Sequence, residues 1–398
     1  MMSRQKVFNI NVVLWRGFLA GKKWRKLLFG AVITGLIAYL VLSHLDKVRE
    51  NISQRDSVQY WKAGKQLVHH ENAYEVRRIR TPPWSLFLFL PLGFVNAFGG
   101  WLLWIAASVT SLIVAMRLSW RMFRKSDESR SVFTIVGYLF APVLACLESG
   151  QIGLVLLIGI VLFMAYEDEH PYLAGAALIL PFAKPHLLVF FWIAFVVWAI
   201  AKKKFAIVTG FAASLMLATT IALLLDPSVF QHYRELVRTT AVEGEFIPTV
   251  STVLRILVFR PYFGVQFVPT LLGLVWCLWF CAKNISKWSW RDHGLTVMVV
   301  SILTTPYSFM NDEVVLLPAM LFAATCIFTG QKLSLGGRIV VLAIGFLNWM
   351  MVLLLALQVP LQSGIYFWSS LLWCAWYFYG HHRLQTNYNT PREPATAV

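Results

Sequence analysis

Lys202-Lys203-Lys204, then the uncharged run FAIVTGFAASLMLATTIALLL over residues 205–225, then Asp226-Pro227, is the stretch that decides the fold class of this chain. The run matches the roughly 20 apolar residues a helix needs to cross about 30 Å of hydrocarbon. The three lysines mark its cytoplasmic end, because basic residues are retained on that side of a membrane. Similar runs of about 15–20 apolar residues, separated by short polar segments, recur along the sequence and predict an all-α polytopic membrane protein. The alternating strands of about ten residues that build a membrane β-barrel are absent.

Composition agrees. The chain has 398 residues, of which 58% are hydrophobic and 14% charged, and its mean hydropathy is +0.64. A soluble domain carries far more charge. Seventeen Trp and thirteen Tyr suit a protein with many water–lipid boundaries, where amphipathic rings anchor. The net charge of +16 does not indicate nucleic acid, because the bases cluster at the ends of apolar runs rather than along one face. At those positions they set orientation and meet anionic membrane lipids. The five cysteines (Cys146, Cys277, Cys281, Cys326, Cys374) all lie in apolar runs without metal-site spacing, and read as small core residues.

Distribution of the bases fixes an expected topology. Residues 1–26 hold seven Lys/Arg and read as a cytoplasmic basic N-terminus. A single membrane domain over 27–380 follows, and 381–398 read as a cytoplasmic tail. Twelve crossings are expected, at about 27–45, 100–117, 131–147, 151–166, 172–183, 187–201, 205–225, 266–282, 294–305, 313–328, 338–357 and 364–380. The first run has no small-residue cleavage site behind it and reads as a retained span. Pro91 and Gly93 interrupt the apolar stretch 84–98, which is expected to be interfacial or re-entrant. Two outer loops, 46–83 and 226–265, are long. The cytoplasmic loops are short and carry neither GxxxxGK[ST] nor a glycine-rich βαβ unit, so chemistry is expected on the outer face of the plasma (inner) membrane.

All nineteen Asp and Glu fall in loops or at span ends on this topology. Coupled transporters instead keep ionisable groups near the midplane, where a charge costs about 2.5–3.5 kcal/mol on insertion scales. Attention moves to the outer rim. In Arg55-Asp56-Ser57-Val58-Gln59-Tyr60-Trp61, Asp56 fits a solvated loop acid, the N-cap of a helix starting at Ser57, or a general base. Lys184, in Pro181-Phe182-Ala183-Lys184-Pro185-His186, fits a snorkelling lysine or, with His186 beside it, an anchor for a phosphate; Pro185 breaks the helix there. Glu148-Ser149-Gly150-Gln151 makes a tight outer turn in which Gln151 can hydrogen-bond a sugar. Thr305-Pro306-Tyr307-Ser308-Phe309-Met310-Asn311-Asp312 is another. Tyr60, Trp61, Tyr74 and Trp84 can stack on a sugar or a prenyl chain, or anchor at the interface. Residues 239–250 read either as a lid or as a plain surface loop.

Taken in order, these outer motifs resemble glycosyltransferase family 87, the polyprenyl-phosphate-mannose-dependent group of the GT-C superfamily. The matching elements are Asp56-x-x-x-Tyr60-x-x-Ala63, Ala73-Tyr74, Thr81-Pro82-Pro83-Trp84, Leu90-Pro91-Leu92, Gly150-Gln151, Ala174-Gly175, Lys184-Pro185 and Thr305-Pro306-Tyr307-Ser308. The resemblance implies a GT-C-type bundle of about twelve helices and a sugar donor on polyprenyl phosphate. By position it also implies that Asp56 is the catalytic acid of the first outer loop. The expected reaction is an inverting hexosyl transfer, of mannose or a similar sugar, to a lipid or glycan acceptor. Asp56 takes the acceptor proton, and Lys184, His186, Arg55 and Arg80 serve the donor phosphate. Tyr60, Tyr74, Gln151, Glu148, Asn311 and Asp312 contact the substrates. No metal or cofactor is expected. The rival classes are a lipid-linked glycan flippase and a surface-glycan polymerase or ligase.

Overall fold

The computed structural model describes residues 56–76, 79–124, 129–240, 245–329 and 333–389, and these form helices and turns with no strand among them. The basic N-terminus, the expected span 27–45 and Arg55 lie outside the described residues.

Five helical segments are long and apolar enough to cross a membrane: Ala97–Phe123, Arg130–Ser149, Phe205–Leu225, Phe263–Lys287 and Leu335–Ala356. A sixth crossing is available if the bent pair Pro171–Ala183 and Pro185–Ala201 counts as one span. Four other expected crossings are helices too short or too polar to qualify: Gly153–Tyr166, Leu295–Thr304, Leu317–Phe328 and Ser369–Asn389. The first three are largely buried, so their apolar residues face other helices. The stretch expected to be interfacial or re-entrant consists of the 3₁₀ turn Pro83–Leu88 and the helical turn Leu90–Gly93. At 1.5–2 Å per residue neither reaches across a bilayer.

Two spans are broken, each with a local cause. The pair around Lys184 bends by 111°. Pro185 has no N–H to give and clashes with a helical residue before it, and Lys184 accordingly leaves the helical region at φ −135°, ψ 68°. Arg130–Tyr138 and Ala141–Ser149 are separated at Leu139 and Phe140. A backbone break inside an apolar layer must find other partners, and Asn348 supplies them. Its Oδ1 accepts from the Ala141 N–H at 2.9 Å, and its Nδ2 donates to the Leu139 carbonyl at 2.8 Å.

Glycines set the closest approaches. A Cβ on Gly64 would lie 2.2 Å from the Phe89 carbonyl oxygen, and one on Gly93 would lie 2.1 Å from the Gly64 carbonyl oxygen. The helix Asp56–Val68 is thereby pressed backbone to backbone onto the 83–93 turns. Gly175 and Gly210 do the same for Pro171–Ala177 and Phe205–Leu225, with the Ile207 and Tyr172 carbonyl oxygens 2.0 and 2.1 Å from the added carbon. Gly175→Ala must separate these helices, so we expect it to cost about 1–3 kcal/mol, read as a lower unfolding temperature of the purified protein in detergent. Gly345→Ala meets nothing within 4 Å, and is expected to be neutral or to gain up to about 1 kcal/mol of helix propensity.

Candidate active site

The segments between helices converge at one end of the bundle. Asp56 opens the helix Asp56–Val68 as an acid in its first turn, where the helix dipole favours a carboxylate. Its position is set by Gly150, which caps Ala141–Ser149 in the left-handed region at φ 70°. A Cβ on Gly150 would lie 2.8 Å from the Ser57 Cβ, so only glycine allows the 150–151 turn to sit against the start of that helix. Trp104 donates from Nε1 to the Gly150 carbonyl at 2.7 Å. Below the turn, Tyr60 stacks on Phe89 with centroids 4.5 Å apart and leans on Trp104 at 4.8 Å.

Gln151 is the junction of the polar cluster. Its Nε2 donates to Asp56 Oδ2 at 2.5 Å. Its Oε1 accepts from the Tyr60 hydroxyl at 3.0 Å and from Lys184 Nζ at 3.3 Å. The lysine is also paired with Asp312, Nζ to Oδ1 at 2.8 Å, while Asp312 Oδ2 accepts from the Phe309 N–H at 3.2 Å. One amide therefore links the candidate base to a lysine–carboxylate pair contributed from 128 residues further on.

A second ion pair lies nearby. Arg80 forks onto Glu245, with Nη2 to Oε1 at 2.5 Å and Nη1 to Oε2 at 2.9 Å, and also donates to the Tyr307 hydroxyl at 3.0 Å. This hydrogen bonding holds the Glu245 carboxyl below the usual carboxylate range and raises the Arg80 guanidinium. Burial raises the Tyr307 phenol. The His186 ring meets Tyr307 edge-on at 5.8 Å.

These groups face a cavity of about 560 Å³. Eight of the residues expected from the sequence line it: Asp56, Tyr60, Arg80, Gln151, Lys184, His186, Asn311 and Asp312. Two do not. Tyr74 is buried with its hydroxyl donated to the Thr81 carbonyl at 3.0 Å, which fixes the segment carrying Arg80. Glu148 Oε1 accepts from Gln358 Nε2 at 2.6 Å, outside the cavity lining. Lys184, expected as a phosphate anchor, has its charge balanced by Asp312. Glu245 and Phe246, within the segment 239–250, also line the cavity, as do Leu361 and Gln362, for which the sequence carries no signal. They come from loops whose convergence has no local sequence signal. No cluster of His, Cys, Asp and Glu able to hold a metal occurs among the described residues.

The fold and the site thus define a helical membrane protein with a polar cavity at the ends of its helices, built around one aspartate and two ion pairs. The profile of Glycosyltransferase family 87 matches residues 81–306, more than half of the chain, and the protein belongs to that family. Asp56 and Tyr60 lie before the matched segment, and Asn311 and Asp312 after it. No curated protein and no solved structure matches.

Removing Asp312 leaves a largely buried ammonium without its counter-charge, so Asp312→Asn should cost about 3–5 kcal/mol, measured by thermal unfolding. The double variant Lys184→Met, Asp312→Leu should unfold at a higher temperature than that single variant, because it leaves no charge unpaired.

The depressed Glu245 pKa gives a pH dependence of definite sign. The Arg80 tie is present above the ordinary carboxylate pKa of about 4 and is lost as the pH falls through the lowered value. Amide hydrogen-exchange protection of 245–249 should therefore hold at neutral pH and fall on acidification, whereas Glu245→Gln should lack it at both.

Proposed function

We propose that the protein transfers a hexosyl group, mannose or a similar sugar, from a polyprenyl phosphate to a lipid or glycan hydroxyl on the extracytoplasmic face of the plasma membrane, with inversion. The observation that carries this reading is the Asp56 carboxylate in the cavity, oriented by Gln151 beside a second carboxylate already committed elsewhere. A retaining mechanism needs two carboxylates about 5–5.5 Å apart with one acting as nucleophile. Asp312 is paired with the Lys184 ammonium, whereas Asp56 accepts from the neutral Gln151 amide, and Asp56 is taken as the base for a direct displacement.

In the proposed step Asp56 accepts the proton of the acceptor hydroxyl, and the acceptor oxygen attacks the anomeric carbon. The bond from that carbon to the phosphate oxygen breaks, and its electron pair leaves on the polyprenyl phosphate. Hydrogen bonding by Gln151 to Oδ2 holds the carboxylate in the cavity wall. Lys184 acts here through Gln151, donating to its Oε1 and so fixing which way the amide points. Arg80, tied to Glu245, and His186 line the same cavity and would face the sugar end of the donor. Donors placed where charge develops contribute most to such a step.

Loss of a general base typically lowers a rate about 10²–10⁴-fold. Asp56→Asn should show that loss with a radiolabelled polyprenyl-phosphate sugar, in folded enzyme of unchanged unfolding temperature; turnover near that of the unaltered enzyme would remove Asp56 from the mechanism. A panel of such donors, tested on membranes containing the protein, identifies the sugar.

A further inference from the structure

A second cavity of about 450 Å³ adjoins the first. Arg255, Ile256, Arg260, Pro261 and Phe263 line it, together with Glu245 and Phe246, which face both cavities. Two arginines in so small a space ask for an anion. In the main cavity each strong cation already has its carboxylate, Lys184 with Asp312 and Arg80 with Glu245. Among the described residues neither Arg255 nor Arg260 has an ion pair. The Nε of Arg255 is buried without a hydrogen-bond partner, and its guanidinium lies 5.3 Å from the centre of the Phe263 ring. The carboxylate in the wall, Glu245, is held on both oxygens by Arg80.

The surroundings indicate which anion. Arg255 sits on the helix Val250–Phe259, and Leu257, Val258, Tyr262, Phe267 and Val268 around it are exposed. This apolar surface runs directly into the span Phe263–Lys287. A ligand with a phosphate at one end and a long hydrocarbon at the other fits both parts. We infer that Arg255 and Arg260 form the subsite for the phosphate of the prenyl-linked sugar donor, with the prenyl chain leaving across the apolar surface of residues 257–268. This rests on the donor class proposed above.

The placement meets the demands of the reaction. The phosphorus is one bridging oxygen away from the anomeric carbon, so the phosphate and sugar subsites must adjoin, and the two cavities share the Glu245–Phe246 wall. As the glycosyl bond breaks, the bridging oxygen gains negative charge. Guanidinium groups suit it because they present several N–H donors in a fixed fork.

The test uses the full-length protein in detergent and in nanodiscs. Hydrogen bonds to charged groups contribute enough that Arg255→Gln or Arg260→Gln should raise KM for a prenyl-phosphate sugar about tenfold or more. The acceptor KM should stay unchanged, and Arg260→Lys should recover part of the loss. Arg260 is exposed, so its replacement leaves folding intact, checked by the unfolding temperature. Unchanged donor kinetics in both variants overturns the inference. So does a rise confined to the acceptor KM, which would assign the arginines to an anionic acceptor.

A separate arm measures stabilisation of the protein by sugar-free polyprenyl phosphate. Its loss in both variants supports the subsite, and equal stabilisation in all three proteins overturns it. If the unaltered enzyme turns over no prenyl-phosphate sugar, the donor reading fails on its own, while the sugar-free arm still decides the subsite.

Discussion

The ion pair between Lys184 and Asp312 holds together the part of the molecule where chemistry can occur. Lys184 has 17% of its side chain exposed and Asp312 2%, so neither charge is left to water. Removing two charges from water costs several kcal/mol per ion unless geometry and further hydrogen bonds compensate. The compensation is visible on both sides. The ammonium also donates to Gln151, and the carboxylate also accepts from the Phe309 N–H. These bonds tie the bend at Pro185, the turn at Gly150 and the segment after Pro306 to one point. Since Gln151 also holds Asp56, the first described helix is fixed to the same point.

What could be read from the sequence follows from the range of each signal. Proline at 185 and the Glu148-Ser149-Gly150-Gln151 turn act over a few residues, and the helix break and the left-handed glycine stand where those residues require them. Asp56, readable as the N-cap of a helix from Ser57, lies inside that helix as its first described residue. The pairing of Lys184 with a carboxylate 128 residues away was not readable, because nothing in either neighbourhood names its partner. Apolarity also leaves one thing open. The runs expected as crossings at 294–305 and 313–328 contain the short helices Leu295–Thr304 and Leu317–Phe328, with most residues buried. A helix surrounded by protein and one surrounded by lipid are both apolar all round, so length separates them better than hydropathy. Asn348 carried a signal that went unused. A lone amide in an apolar run has to satisfy something, and here it satisfies the broken span at Leu139–Ala141.

Tyr74 and Tyr60 show why an aromatic motif does not by itself assign a binding role. Both are buried, and both use their hydroxyls. Tyr74 is spent on the Thr81 carbonyl and so fixes the chain leading to Arg80, whereas Tyr60 reaches Gln151 and lines the cavity. The difference lies in what each hydroxyl meets after folding. A substitution at Tyr74 therefore acts on the site at a distance, through the placement of Arg80.

The distribution of charge within the cluster gives the proposed mechanism its direction. A site that must hold a base in its ionised form and also receive a phosphate needs cations, but an excess of them beside Asp56 would attract the donor phosphate onto the base itself. Pairing Lys184 with Asp312 and Arg80 with Glu245 leaves the neighbourhood of Asp56 rich in hydrogen bonds and close to neutral in charge. Guanidinium groups without carboxylate partners among the described residues occur instead beyond the Glu245–Phe246 wall, one cavity away. In the proposed mechanism a donor anion is drawn to the far side of that wall while its sugar remains before Asp56. On that reading, separating the two functions across a wall that both cavities share lets one polar cluster serve a proton acceptor and an anionic leaving group at once.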